Sequence, residues 1–461
     1  MKHIIAQIGL IALLGFTAAY GQQSPSATPA VSGQPVAATG QTGQKYTLKS
    51  ARTANTIDKI AYQLDIRGNL IIPDEKDSSK QNKLPVTAVT KQAYNEKNIE
   101  FSVKDEAISA KSVRNYQQSV MERTIDGEKD SMTLSPKKNI LQVFVNPAGL
   151  FFYSKDYAMV REDLNNLEAM VPSLTLDSLL PDKPVAINDE WGITEHSLKL
   201  LLQMDSISQA QVAQILSDVK SNTGIIDAQG WVEGLSEGVR TVISFKLKYY
   251  FSLRSQRIVW AGMLTNEKRE SGPISPQLEM ESRIQMTIQP NVQDPQLAQT
   301  EWLAPTEEKM LLMYAGPGNQ WSLYHDRRWH VVQETDANVS MRFLAGDQYV
   351  AQCFISKTHN PETTFNMTLA GFQAEVLRTI AAEKAESKRK IVSAAEEASP
   401  AGLKAYQIVV ASEQEKARWV YYMMTGKKAG DQLVFVFMVE EPNLELVGDT
   451  DMAMIGTLKF N

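Results

Sequence analysis

The sequence predicts an α+β protein in two folded units: a curved antiparallel β-sheet with covering helices, then a smaller α+β sandwich. Three observations predict it. Apolar and polar residues alternate strictly along several stretches before residue 290, as in half-buried antiparallel strands. Stripes of apolar residues three and four apart mark helices between them. After a proline-rich passage the strands become apolar on both faces, as expected at the centre of a sheet covered on both sides.

The first residues carry no fold information. Residues 1–21 read as a signal peptide: Lys2 and His3, an apolar run from Ile4 to Phe16, then Ala19-Tyr20-Gly21 as a small-x-small cleavage site. The run is shorter than the ~20 residues needed to span a bilayer, and no later segment matches it. Residues 22–44, QQSPSATPAVSGQPVAATGQTGQ, hold no charge and almost no large apolar side chain, so a disordered linker is expected. The expected location is therefore secreted or periplasmic.

Residues 45–290 form the expected antiparallel β domain. Ile60, Tyr62, Leu64 and Ile66 alternate with Lys59, Gln63, Asp65 and Arg67. Ile243, Phe245, Leu247, Tyr249 and Phe251 repeat the pattern, as do Leu278, Met280, Ile284, Met286 and Ile288. Two helices are expected to cover the apolar face. One lies near Tyr157 to Val171. The other follows Ser208, which with Gln211 resembles a capping box, and carries the stripe Val212, Ile215, Leu216, Val219.

Residues 291–320, with Pro295, Pro305 and Pro317, read as a connection. Residues 321–461 are the second domain. Strands are expected around Trp329, Val339 and Val350. A long helix follows Thr364 on the face Leu369, Phe372, Val376, Ile380, with EKAESKRKIVSAAEE as its solvated continuation. AYQIVVAS, ARWVYYMMT and DQLVFVFMVEE are three strands, with KKAGDQ as a hairpin turn. A short helix on DTDMAMIG and a final TLKF strand close the chain.

Four segments in this order (DRRWHVV, TLAGFQAEVLRTI, the hairpin WVYYMMTGKKAGDQLVFVFMVEE and DMAMIGTLKF) resemble the PsbP-like family. That resemblance implies an α/β/α sandwich and a binding or assembly role, and carries over no site residue. In the first domain, Leu180, Pro181, Pro184, Val185, Asp189 and Trp191 resemble an LPxxPVxxGDxW phrase of secreted bacterial β-rich proteins of unknown function. Asn188 stands where Gly is usual, a mild departure, since Asn also tolerates positive φ. A half-barrel wrapped on helices is also similar to periplasmic carriers of lipids and lipoproteins, at the level of fold only.

The chemistry candidates each have a structural explanation. Asp182, Asp189 and Glu190 beside Trp191 suggest glycosidase carboxylates on a sugar platform. Neighbouring residues of an extended strand point oppositely, however, so Asp189 and Glu190 cannot face each other across a sugar. Trp191 is expected in the core and both acids in solvent. Gly234-Leu235-Ser236-Glu237-Gly238 matches the G-x-S-x-G nucleophile elbow, but a strand follows it, so it reads as a hairpin turn. His325 and His330, with Asp326 between them, have neither helical nor strand spacing for a shared metal, and Arg327 and Arg328 repel a cation; His196 and His359 stand apart. Cys353 is the only cysteine, which excludes an internal disulfide and a Cys-pair zinc site. It is expected to be buried and inert on a strand face with Tyr349, Ala351 and Ile355. The set Phe245, Tyr249, Phe251, Trp260, Met280 and Met286 describes either an ordinary core or the lining of an apolar cleft.

The length of 461 residues fits two to three domains at ~150 residues each. A net charge of -6 argues against nucleic acid, whose phosphates need a basic surface. The functional expectation is an exported, non-catalytic binding or assembly protein of the periplasm or cell surface. No catalytic, cofactor or metal residue is assigned, and the partner is a protein or an apolar ligand. The alternatives are a carrier holding an apolar ligand in the β domain, and a hydrolase of envelope polymer or lipid.

Overall fold

A computed structural model describes residues 43–74, 80–104, 107–346, 348–357, 366–382, 389–398, 402–428 and 431–461. The expected signal peptide, most of the linker and His359 lie outside these residues. The first part runs β1 (Lys45–Tyr46), β2 (Ile57–Pro73), β3 (Gln81–Lys104), β4 (Ala107–Ile125), β5 (Glu128–Thr133), β6 (Ile140–Asn146), β7 (Gly149–Tyr153), helix α1 (Arg161–Leu167), β8 (Val185–Ala186), β9 (Glu190–Trp191) and helix α2 (Glu195–Leu202). Five long strands follow: β10 (Ser206–Lys220), β11 (Thr223–Ser236), β12 (Val239–Ser252), β13 (Arg257–Arg269) and β14 (Gln277–Gln289). Apart from β1 and β8, which pair with each other, these strands form one twelve-stranded antiparallel sheet. Its order is β7-β6-β4-β3-β2-β14-β13-β12-β11-β10-β9, with β5 paired to β4. The alternation read from sequence sets its inward face: Ile60, Tyr62, Leu247, Tyr249, Ile284 and Met286 are all buried in one core.

The chain from residue 290 adds α3 (Pro295–Gln299), α4 (Glu307–Met310), β15 (Leu312–Ala315), β16 (Trp321–His325), β17 (Trp329–Glu334), β18 (Asn338–Ala345), β19 (Gln348–Lys357) and α5 (Leu369–Ala382). It ends with β20 (Lys390–Ala398), β21 (Lys404–Ser412), β22 (Ala417–Thr425), β23 (Gln432–Glu440), α6 (Leu444–Val447), α7 (Thr450–Gly456) and β24 (Lys459–Phe460). A seven-stranded antiparallel sheet has the order β17-β18-β19-β23-β22-β21-β20, and β15, β16 and β24 make a three-stranded sheet. The central strands β22 and β23 are apolar on both faces for a visible reason. Phe435 and Phe437 pack into one core with Trp329, and Trp419 and Tyr421 into another with Phe372 and Val376 of α5.

The α+β expectation is overturned. Strands account for 57% of the structure and helices for 16%. The chain from residue 321 is not an α/β/α sandwich: α5 covers one face of its sheet, while the other packs against Trp321 and Leu323 of the small sheet and the short α6 and α7. Two misread segments explain part of the error. The helix expected after Ser208 is strand β10, which has a bulge between Leu216 and Asp218. The extra residue returns Val219 to the inward face three positions after Leu216, while Val212 lies four before it, so a bulged strand imitates a helical stripe. The charge run expected to continue α5 becomes β20 from Lys390 onward.

The covering helices of the large sheet are also mostly absent. The only helices of the segment from Ser154 to Met204 are α1, α2 and one 3₁₀ turn, Leu176–Leu179. Pro172, Pro181 and Pro184 interrupt any longer helix. It still fills the core, with Met159, Leu164, Leu167, Val171, Leu174, Leu179, Leu198 and Leu201 buried against the sheet. The sheet is therefore closed by an irregular plug rather than by a helical layer.

Candidate functional site

An irregular plug buries carbonyls that no helix satisfies, and the sheet supplies donors for them. Tyr62 Oη donates to Met170 O, Gln92 Nε2 to Asn166 O, and Tyr249 Oη and Gln214 Nε2 both to Leu179 O. Arg52 reaches the carbonyls of Ser173 and Leu174. Beneath them lies an ionic network of three arginines and three acids. Arg114 Nε contacts Glu96 Oε1 at 2.7 Å, Arg52 Nε contacts Asp177 at 3.2 Å, and Arg257 pairs with Asp58. Burial alone would raise the Glu96 carboxyl; Arg114 and Arg52, with hydrogen bonds from Arg114 and Ser173, hold it below its usual range. Every one of these charges is neutralised inside the core, so the cluster fixes the plug in place.

The residues singled out in sequence fall into separate places. Asp182, Asp189 and Glu190 are exposed, and Trp191 is half-buried against the core with its indole N–H donated to Leu179 O. Asn188 has φ 71° and the Asp189 carboxylate accepts the Ala186 N–H at 2.8 Å, so the stretch is a turn leading into β9. Ser236 ends β11 and is buried; Glu237 and Gly238, both with positive φ, form the hairpin to β12. His325 is buried with its Nδ1 2.8 Å from Asp326 O, and burial pushes its pKa down to about 4. Burial likewise takes His330 to about 3. Among the described residues no group of three His, Cys, Asp or Glu could hold a metal. Cys353 is fully buried and burial pushes its thiol up. Tyr349 does not share its face: a register shift between Phe343 and Leu344 on the paired strand leaves Tyr349 exposed and buries Val350.

The apolar set also divides. Phe245, Tyr249, Phe251 and Met286 are core. Trp260 points to the opposite, solvent face, where a trough of about 780 Å³ crosses β10 to β14. Hollows of about 650 Å³ and 550 Å³ continue it past β14 along β2, sharing Leu264 and Arg283, then Arg67 and Glu281. Register builds the floor row by row. Lys246, Leu264 and Arg283 stand side by side on β12, β13 and β14; Lys248, Gly262 and Gln285 form the next row, and Tyr250, Trp260 and Thr287 the next. The Tyr250 and Trp260 rings stack at 4.7 Å. Leu264 is 54% exposed. Lys248 is held by Asp227 at 3.1 Å. Lys246 and Arg283 make no ion pair among the described residues, leaving two cations flanking an exposed leucine.

Sequence reasoning missed Leu264 and Arg283 and put Trp260 on the wrong face. The signal was available: Ala261, Met263 and Thr265 set the inward parity of β13, so Trp260 and Leu264 are apolar residues out of phase.

No family model matches this chain, and no curated protein matches it. Among solved structures, a lipovitellin structure titled for its lipid–protein interactions aligns at TM-score 0.31 and 8% identity over 56% of this chain; the alignment spans 28% of that chain. An OccK7 (OpdD) structure from Pseudomonas aeruginosa aligns at TM-score 0.15 and 6% identity, covering 83% of this chain and 98% of its own. A Rh. blastica porin mutant aligns at 0.11 and 7%, with the same coverages. Likenesses at these scores carry neither fold nor ligand to this chain. Among the described residues no helix is long and apolar enough to cross a membrane.

Proposed function

We propose that this chain is an exported binding or assembly protein that works without catalysis, and that its ligand lies in the trough on the solvent face of the large sheet. The observation that carries this is the row Lys246, Leu264, Arg283 beside the Tyr250–Trp260 stack. Exposed apolar surface flanked by Lys246 and Arg283, in a lining whose acids are Glu190 and the Lys248-bound Asp227, suits a ligand with an apolar body and an acidic end. The carrier reading thus moves from the inward face, occupied by packed core, to the outward one. A hydrolase has less support, because the buried acids Glu96, Asp58 and Asp177 are each paired with an arginine of the network that holds the plug.

Isothermal titration with dodecyl phosphate and, separately, the uncharged dodecyl maltoside tests this reading. Saturable binding of the phosphate is expected, at least tenfold weaker for the maltoside. Trp260→Ala and the double change Lys246→Glu with Arg283→Glu should each remove it. Binding that survives both, or no saturable heat with either amphiphile, sinks the proposal.

A further inference from the structure

The edges of the two large sheets are not treated alike. At β7, the Phe152 carbonyl accepts Arg327 Nη2 at 2.6 Å. At β17, the Trp329 carbonyl accepts Arg161 Nη2 at 3.2 Å. The β20 edge carries Lys390, Glu396 and Glu397, charges that discourage pairing with another chain. The edge strand β5 carries Glu128, Lys129 and Asp130. At the far end of the sheet the two-residue β9 leaves most of β10 open, and from Ser206 to Ala213 that strand has no charge and no arginine cover, only a bulge between Ile207 and Gln209.

Strand β10 pairs with β11 along its whole length but with β9 only at Gln214 and Ile215. Just beyond, Leu216 exchanges backbone hydrogen bonds with Asp189 and Asn188. Because inward and outward peptide groups alternate, Leu216 sets the phase, and the N–H and C=O of Val212 and Ala210 also point away from β11. No backbone partner meets the edge from Ile207 to Ala213 among the described residues. Ser208, Gln209, Ala210, Gln211 and Ala213 are exposed. From Ser206 to Ser217, SISQAQVAQILS, there is no charge, proline or glycine.

We infer that this edge pairs with the same edge of a second copy, as two antiparallel strands around a two-fold axis near Ala210. The absence of charge is the argument for a second copy over a foreign strand. In an isologous contact every side chain meets the same sequence reversed, so a cluster of like charge around the axis would repel itself. Gln209 and Gln211 face each other across the axis, and glutamine is both donor and acceptor, so it is complementary to itself. The axis runs perpendicular to the sheet, so the solvent faces of the two copies form one surface. Ala213 and Ile215 of β10 line the trough, and two troughs therefore come to lie side by side. This inference rests on the edge and not on what the trough binds.

Size-exclusion chromatography with light scattering on the full-length protein, without detergent or amphiphile, tests it over a range of micromolar concentrations. A species of twice the chain mass is expected. Gln209→Lys with Gln211→Lys should yield a monomer with unchanged circular dichroism, since both positions are exposed. Gln209→Glu with Gln211→Glu should do the same, and mixing the two variants should restore the doubled mass. A wild-type monomer at every concentration overturns the inference. So does a dimer untouched by these charges, or a monomer that instead takes up an extended peptide along β10.

Discussion

The Trp260 indole lies flat over Gly262, its second neighbour on the same face of β13. A Cβ at position 262 would come within 2.4 Å of the ring carbon Cη2. Glycine is thus the residue that lets the aromatic floor of the trough lie down on the strand, an aromatic covering a strand glycine. Gly262→Ala should lift the indole from the sheet and weaken its stacking with Tyr250. The expected cost is about 1 to 3 kcal/mol, the usual range for overpacking. Near-ultraviolet circular dichroism and chemical denaturation check this together. An unchanged aromatic signal with unchanged stability refutes the packing argument.

Glu96 and Arg114 are both almost fully buried and meet at 2.7 Å. Removing one partner strands the other charge in the core. Glu96→Gln is therefore expected to cost about 3 to 5 kcal/mol, and Glu96→Leu with Arg114→Met together should cost less than the single change. Denaturation midpoints of the two variants against the unaltered protein decide this. A double variant worse than the single one contradicts a simple pair.

Asn188 is a left-handed residue in the turn before β9. A β-branched side chain there costs roughly 1 to 2 kcal/mol, while glycine adopts the conformation freely. Asn188→Val should lower the thermal midpoint and Asn188→Gly should leave it nearly unchanged. Equal effects from both would show that the amide side chain, rather than the backbone, sets the preference.

His325 and His330 titrate near 6.5 in an unfolded chain. In the fold, burial lowers them to about 4 and about 3. Between those values the unfolded chain binds more protons, so stability falls as pH drops from about 6.5 toward 3. Above that window the two histidines cost nothing. His325→Gln with His330→Gln should flatten the acid limb of a plot of thermal midpoint against pH. A limb of unchanged slope would locate the acid sensitivity in other groups.

The large sheet was legible in the sequence because alternation is a local signal. The inward positions of β2, β12 and β14 follow from residues two apart, and one buried face reinforces each of them. The all-apolar character of β22 and β23 showed equally that both faces are covered. The helical cover was not legible. A bulge near Ser217 turned the stripe of β10 into an apparent helix, and no local pattern marks where a bulge falls. The trough was half legible, through the out-of-phase Trp260 and Leu264.

By itself the sequence determined which faces of β2, β12 and β14 go inward, that the phrase from Leu180 to Trp191 is a turn into a strand, and that Cys353 makes no internal disulfide. Those properties depend on near neighbours and on residue chemistry. Only the tertiary structure decided that an irregular plug closes the sheet, held by Arg52, Arg114 and the donors of the inward face. The same holds for the placing of Lys246, Leu264 and Arg283 in one row and for the bare edge of β10. Each requires strands far apart in the chain to be set in register, and register is fixed by the whole sheet at once.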